Sequence, residues 1–176
     1  NNCLKNRVAI VTGGGSGFGE SICHLFAAAG CKILVADLNE INGERVTKAL
    51  TDNSFEAIFC KTDVANSADM EAMVDAAIER FGRIDIMVNN AGMSHPNQPM
   101  LSVSEEFFDR LFAVNVKSIY LSAKYCVPVF RKQGSGCFIN IGSTAAVRPR
   151  PGLSWYNGSK GAVTLITKSL AVEPTL

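Results

Sequence analysis

Residues 7–19 read RVAIVTGGGSGFG, a short apolar run that leads directly into a glycine-rich turn. The run RVAIVT has the length and β-branched content of a buried strand. Glycine then fills five of the seven positions 13–19, and a helical pattern begins near residue 17. Because glycine allows a sharp turn and a close approach to the backbone, this order predicts a strand, a turn open to a ligand, and a helix.

The alternation of strand and helix continues along the chain. Strands are predicted at 31–37, 56–64, 83–90 and 136–143, and helices near 17–29, 40–50, 68–81, 104–132 and 156–172. Such alternation specifies a parallel sheet with right-handed crossovers, and continuously apolar strands indicate helices on both faces. The predicted fold class is α/β, a doubly wound parallel sheet in three αβα layers. With no repeat or linker, residues 1–176 are expected to form a single domain.

Glycines and capping residues predict where the helices end. Gly30 and Gly82 follow the first and third helices as C-cap glycines would, and GSG at 134–136 ends the long helical region. Ser102 with Glu105 is predicted to form a capping box before that region.

Composition excludes several classes of function. Seventeen basic and sixteen acidic side chains leave a formal charge of +1, so neither nucleic acid nor an anionic membrane is indicated as a partner. No apolar stretch approaches the roughly 18 residues that a membrane helix requires, and the amino terminus lacks a signal pattern. We therefore expect a soluble cytoplasmic protein.

Cysteine and histidine do not form a metal-binding pattern. The six cysteines contain no CxxC pair, and free thiols in a reducing compartment are the preferred interpretation. The two histidines share no ligand-like spacing with each other or with a cysteine, so no metal site is expected.

The glycine-rich turn carries the spacing of a dinucleotide fingerprint at Gly13, Gly17 and Gly19. Its free amides and the positive end of the following helix would meet a pyrophosphate; a tight structural turn is the alternative. Asp37 ends the second strand, where a carboxylate accepts hydrogen bonds from ribose hydroxyls and repels a 2′-phosphate. Ser16 also occupies a turn position where an arginine would favour NADP. NAD is therefore expected, although Asp37 alone is equally consistent with a helix cap.

Further motifs follow in a recognisable order: TDV (62–64), NNAG (89–92), Asn115, Ser143 and YNGSK (156–160). With the glycine turn and Asp37, they resemble the short-chain dehydrogenase/reductase family, in its NAD-preferring branch, over the whole chain. The resemblance implies a Rossmann fold and a hydride transfer between NAD(H) and a secondary alcohol or ketone. An NADP-dependent ketoacyl or carbonyl reductase and a catalytically silent dinucleotide-binding or interaction protein are the alternatives.

The resemblance also assigns roles. Tyr156 and Lys160 lie one helical turn apart and face the same side, and an ammonium beside a phenol favours the ionised phenol of a general acid or base. Ser143, at the carboxyl edge of the sheet, would orient the substrate oxygen. Asn115 would support a proton relay behind Lys160, or would alternatively close a helix kink.

The implied cofactor-binding residues surround the same edge of the sheet. Asp63 is nearly as well explained as a cap for the next helix, and a bracing role is the preferred interpretation for Asn89 and Asn90. The full set is Gly13, Gly17, Phe18, Gly19, Asp37, Leu38, Asp63, Val64, Asn90, Ala91, Gly92, Tyr156 and Lys160.

Several other residues are discounted. His95 is expected to be an exposed loop residue, and Arg148 and Arg150 are better explained as solvated surface residues than as a site for an anionic substrate. Trp155 would either line the pocket or pack the helix start.

The resemblance implies a further strand, a mobile substrate loop and a final strand after the Tyr/Lys helix. The sequence, which ends at AVEPTL (171–176), does not include that region. We expect the protein to possess that region, because an uncovered sheet edge would promote aggregation. Assembly into a homodimer or homotetramer is also implied.

Overall fold

In a computed structural model of the protein, which describes residues 3–173, five strands form one parallel sheet. The strands are β1 (Val8–Thr12), β2 (Lys32–Asp37), β3 (Ala57–Lys61), β4 (Ile86–Asn89) and β5 (Cys137–Asn140). Their order across the sheet is β3-β2-β1-β4-β5. The direction of winding reverses between β1 and β4, and in such sheets a crevice opens there beyond the carboxyl ends of the strands.

Helices connect the strands on both sides. They are α1 (Gly17–Ala28), α2 (Glu40–Asp52), α3 (Ser67–Phe81), α4 (Glu105–Phe112), α5 (Ser118–Gln133) and α6 (Ser154–Ala171). Between α4 and α5 the residues Ala113–Lys117 form a π-helical segment, and short 3₁₀ turns span Met100–Ser102 and Thr144–Ala146. Within residues 3–173, none of the helices has the length and apolarity that a membrane crossing needs.

Successive side chains of β1 enter two separate cores, because a strand alternates its faces. Ile10 packs in a cluster with Leu121 of α5 and with residues of α3. Val11 packs in the other cluster with Ala27 of α1 and Val46 of α2. The predicted three-layer, doubly wound parallel sheet is confirmed.

The boundaries differ from the prediction in two respects. The last three strands end earlier than predicted, at Lys61, Asn89 and Asn140 instead of residues 64, 90 and 143, because polar residues after them leave the sheet to make loop hydrogen bonds. The predicted capping box is wrong: the N-cap of α4 is Ser104, whose hydroxyl accepts from the Phe107 amide at 3.2 Å, while Ser102 closes the preceding 3₁₀ turn. The left-handed glycines Gly82 and Gly134 end α3 and α5 as predicted.

Candidate active site

A cleft of about 390 Å³ opens beside the glycine-rich turn, at the crossover between β1 and β4. Most of the residues predicted to bind the cofactor line it: Gly13, Gly17, Phe18, Asp37, Leu38, Asp63, Val64, Asn90, Ala91 and Gly92. A larger depression of about 700 Å³ lies along β5 and the end of α6, and none of the predicted site residues lines it. Chemistry rather than volume therefore identifies the candidate site.

The glycine turn has the shape of an anion cradle. Gly13 and Gly17 have positive φ angles of 63° and 55°, which favour glycine. A side chain at Gly19 would collide with the carbonyl of Gly13, whereas the space beside Gly17 is open. Ser16 precedes α1 without capping it through its side chain, and the first amides of a helix, which have no partner within the helix, are suitable donors for a pyrophosphate group.

The carboxylate of Asp37 lies next to this turn. Its Oδ2 atom accepts from the Gly15 amide and its Oδ1 atom from the Asn39 amide, both at 2.8 Å. The N-cap of α2 is Asn39, whose side chain accepts from Asn42 at 3.0 Å, so Asp37 is not the helix cap. A carboxylate has about four acceptor positions, which leaves Asp37 capacity for hydroxyl donors.

Asp63 has a partner that the sequence did not suggest. Arg110 of α4 donates two hydrogen bonds to its carboxylate, at 3.0 and 3.2 Å, and the Ala65 amide donates a third at 3.0 Å. Burial alone would raise the pKa of Asp63, but these bonds outweigh it and lower the pKa. The N-cap of α3 is Asn66, so Asp63 stabilises its own loop and holds α4 against the cleft.

The NNAG segment is tied to β1 through Thr12, another residue that the sequence analysis missed. The buried Thr12 hydroxyl donates to the Val88 carbonyl at 3.2 Å and accepts from the amides of Asn90 and Ala91 at 3.0 and 3.1 Å. The Asn90 side chain in turn donates to the carbonyls of Thr12 and Gly13. These bonds join the two strands that flank the cleft.

Asn89 braces the sheet one residue earlier. Its amide donates to Ser122 of α5 at 2.9 Å and to Asn140 of β5 at 2.8 Å. The side chain thus points away from the cleft lining and links β4 to β5.

Tyr156 and Lys160 lie in consecutive turns of α6, and Lys160 is almost fully buried, with 7% of its surface exposed. Its ammonium donates to the Ile141 carbonyl at 2.8 Å, just beyond the end of β5. Burial lowers the pKa of Lys160. An amine in this setting retains donors for a second partner while its charge is only partly solvated.

Ser143 follows β5 on the same edge of the sheet. Its hydroxyl oxygen accepts from the Ala145 amide at 3.1 Å and thereby caps the 3₁₀ turn Thr144–Ala146. This contact fixes the oxygen and leaves the hydroxyl proton for another acceptor.

Asn115 lies within the π-helical segment and is buried. Its Oδ1 atom accepts from the Met93 amide, and its Nδ2 atom donates to the Met93 carbonyl and to the Ser159 hydroxyl, each at 2.9 Å. Ser159 donates onward to the Tyr156 carbonyl at 2.8 Å. The side chain therefore connects the loop after β4 with α6, and Ser159 is a further member of the network that the sequence analysis missed.

Among the discounted residues, the expectation for His95 is wrong. His95 is 4% exposed, its Nδ1 atom lies 2.8 Å from the Pro96 carbonyl, and its ring packs edge-on against Phe107. Phe107 of α4 thus covers the imidazole on one side. Trp155 packs against Phe108 and donates to the Met100 carbonyl, so it anchors the start of α6.

The side chains of Arg148 and Arg150 are exposed. Within residues 3–173, no group of three His, Cys, Asp or Glu side chains is arranged to hold a metal ion. All six cysteines are unpaired, and burial raises the pKa of the Cys23, Cys31 and Cys126 thiols to about 12.

Fold and cleft together define a dinucleotide-binding α/β protein. The sequence profile of the family described as short chain dehydrogenase matches residues 7–175. The chain is 48% identical over 170 residues to 4-formylbenzenesulfonate dehydrogenase of Comamonas testosteroni, covering 97% of this chain and 68% of that protein. It is 40% identical to (+)-borneol dehydrogenase 2 of Salvia officinalis, covering 97% and 60%.

Solved structures give the same result. A 3-ketoacyl-(acyl-carrier-protein) reductase from Brucella melitensis, complexed with NADH, superimposes with a TM-score of 0.91 at 42% identity, over 96% of this chain and 70% of that one. A short-chain dehydrogenase/reductase from Burkholderia phymatum, in complex with NAD, gives 0.92 at 32% identity, over 95% and 59%. The chain belongs to the short-chain dehydrogenase/reductase family of oxidoreductases, as predicted. It spans about 60–70% of the length of these relatives.

Proposed function

We propose that the protein is an NAD-dependent oxidoreductase that interconverts a secondary alcohol and a ketone. The carrying observation is the placement of Lys160, whose buried ammonium is held at the carboxyl edge of the sheet one helical turn from Tyr156. The same edge carries the glycine turn and the cleft. A cation and a phenol so placed beside a dinucleotide cradle suit proton transfer to or from an alcohol oxygen.

The cofactor's chemistry is to accept or release the hydride. The turn at 13–19 would hold its pyrophosphate, and the carboxylate of Asp37 would accept from the adenine-side ribose hydroxyls. NAD rather than NADP is proposed because Asp37 repels a 2′-phosphate, while its neighbours Ser16 and Leu38 are exposed and uncharged. The remaining cleft residues would contact the adenosine, with Phe18, 80% exposed, covering the turn.

Each residue of the catalytic set has a separate task. Tyr156 would give a proton to the carbonyl oxygen in reduction and remove one from the alcohol in oxidation. Lys160 would favour the ionised phenol and hold the nicotinamide-side ribose. Ser143 would donate to the substrate oxygen, and Asn115 would support the proton relay behind Lys160 through its hold on the surrounding backbone.

Turnover by the full chain tests this proposal, with a panel of secondary alcohols offered with NAD and NADP at alkaline pH. We expect reduction of NAD, and a loss of about 10²–10⁴-fold in kcat for Tyr156→Phe, the range of general acid–base catalysis. Tyr120→Phe, an exposed position on α5, is the matched control. Equal turnover of Tyr156→Phe and the wild type would refute the mechanism. Binding of the dinucleotide without turnover of any alcohol would favour a catalytically silent protein. A preference for NADP would favour the carbonyl reductase alternative.

Assembly as a homodimer or homotetramer in the cytoplasm is also proposed, with the whole of 1–176 acting as one domain. The exposed apolar side chain of Leu165 on α6 supports an interface there, and the six unpaired cysteines suit a reducing compartment. A monomer in light scattering would contradict the assembly.

A further inference from the structure

Arg45 of α2 makes a three-point contact with the glycine turn and the start of α1. Its guanidinium donates to both oxygens of Glu20, at 2.7 and 2.8 Å, and to the carbonyl of Gly15 at 3.0 Å. Glu20 lies in the first turn of α1. The planar guanidinium can satisfy a carboxylate and a carbonyl at fixed angles, which an ammonium cannot do.

Both backbone polar groups of Gly15, its amide and its carbonyl, are consequently held by side chains. Its amide donates to Asp37 at 2.8 Å and its carbonyl accepts from Arg45. A side chain at this position would approach Asp37 at 2.9 Å and Asn42 at 3.0 Å, so the backbone is also confined sterically. The neighbouring Gly14 amide donates to the Ala36 carbonyl at 3.1 Å. The middle of the turn thus has a single orientation.

The ion pair also controls charge at the start of α1. A carboxylate in the first turn of a helix that receives a pyrophosphate would repel the ligand. The hydrogen bonds from Arg45 lower the pKa of Glu20 and favour its ionised form. The adjacent guanidinium compensates the negative charge of this carboxylate. Arg45 therefore combines two effects, an ordered backbone and a compensated anion.

We propose that Arg45, anchored by Glu20, is a positioning residue for the dinucleotide: through the Gly15 carbonyl it fixes the turn whose amides bind the pyrophosphate. This inference rests on the proposed function. Because a loop that is already ordered loses less entropy on binding, the contact contributes to cofactor affinity rather than to the hydride step.

The test is calorimetric titration of the full chain with NAD and with NADP. Arg45→Ala should weaken binding of NAD about tenfold, the equivalent of one charge-assisted hydrogen bond. The ratio of the NAD and NADP affinities should stay unchanged, because the pyrophosphate is common to both. Arg45→Lys should recover only part of the loss. In turnover assays KM for NAD should rise while kcat stays within about twofold.

Two further variants separate positioning from its alternatives. Lys48→Ala removes an exposed ion pair with Asp52 on the same helix and should leave NAD affinity unchanged; an equal loss there would overturn the proposal. The double variant Glu20→Gln, Arg45→Ala also removes the carboxylate that Arg45→Ala leaves uncompensated. Full recovery of NAD affinity in this variant would show that the loss came only from repulsion between Glu20 and the pyrophosphate, and would refute positioning. A wild-type chain that binds no dinucleotide would refute the proposed function itself, whereas tight NAD binding by both wild type and Arg45→Ala would refute only this inference.

Discussion

Removing the Thr12 hydroxyl should destabilise the protein although the shape of the side chain is kept. In Thr12→Val the Ala91 amide loses its acceptor, the Asn90 amide retains only its 3.1 Å contact to the Val88 carbonyl, and that carbonyl loses a donor. Thr12 itself is 1% exposed, so water cannot replace the hydroxyl. An unsatisfied buried polar group costs about 1–3 kcal/mol, and because Asn90 and Ala91 are half-buried we expect a loss of about 2 kcal/mol in the free energy of unfolding.

Urea denaturation followed by circular dichroism measures this loss, with an unchanged m-value as the sign that the unfolding transition is the same. Thr12→Ser is the matched control, since it keeps the hydroxyl and removes one methyl group, at a cost of about 1 kcal/mol. The argument is refuted when Thr12→Val proves as stable as Thr12→Ser or more so, because burial of the extra methyl would then outweigh the lost hydrogen bonds.

Three other substitutions have defined outcomes. Burial opposes the ionisation of Asp85, but hydrogen bonds from Arg83 and Arg7 lower its pKa. Its ion pairs therefore stabilise the fold above roughly pH 4, and this stabilisation is lost as the pH falls through the lowered pKa. Between pH 7 and pH 3, the Tm of Asp85→Asn should consequently fall by less than the Tm of the wild type. Asp37→Ser should shift the ratio of NAD to NADP affinity about tenfold towards NADP, measured by titration, since it removes one repulsive charge; an unchanged ratio would exclude Asp37 from the ribose site. Asn115→Ala removes three hydrogen bonds of a buried side chain and should cost about 2–4 kcal/mol in urea denaturation, with a loss below about 0.5 kcal/mol contradicting the bracing role.

Local sequence patterns were sufficient for the fold because each strand and helix carries its own signal. The run before Gly13 forms β1, and the left-handed glycines Gly82 and Gly134 end their helices where a residue with positive φ is needed. The capping box failed for a related reason: Ser102 and Ser104 are both good N-cap residues, and the 3₁₀ turn that decides between them depends on packing of the loop. Patterns therefore predicted which elements form and where a glycine ends a helix, and tertiary contacts decided the remaining boundaries.

The partners of the site residues could not be predicted in the same way. Arg110 lies 47 residues after Asp63, and Thr12 lies 78 residues before Asn90, so only the tertiary fold brings each pair together. Arg45 has no motif of its own and lies on an otherwise ordinary surface helix. His95 shows the converse, since its polar loop sequence indicates exposure while an aromatic residue on α4 covers it.

The network around Asn115 joins two parts of the candidate site, the cleft beside the glycine turn and the segment of α6 that carries Tyr156 and Lys160. In the sequence these parts are separate motifs. Through Met93 the side chain holds the backbone that follows Gly92 in the cleft beside the glycine turn, and through Ser159 it holds the turn of α6 that carries Tyr156. A side chain placed on Gly92 would stand 3.6 Å from the Lys160 ammonium, so Lys160 lies immediately beside the wall of the cleft. π-helical segments often lie at functional sites. Here the π-helical segment places the side-chain amide of Asn115 between the cleft and α6. A perturbation of Asn115 should therefore affect cofactor affinity and turnover together, whereas we expect a change at Arg45 to affect affinity alone.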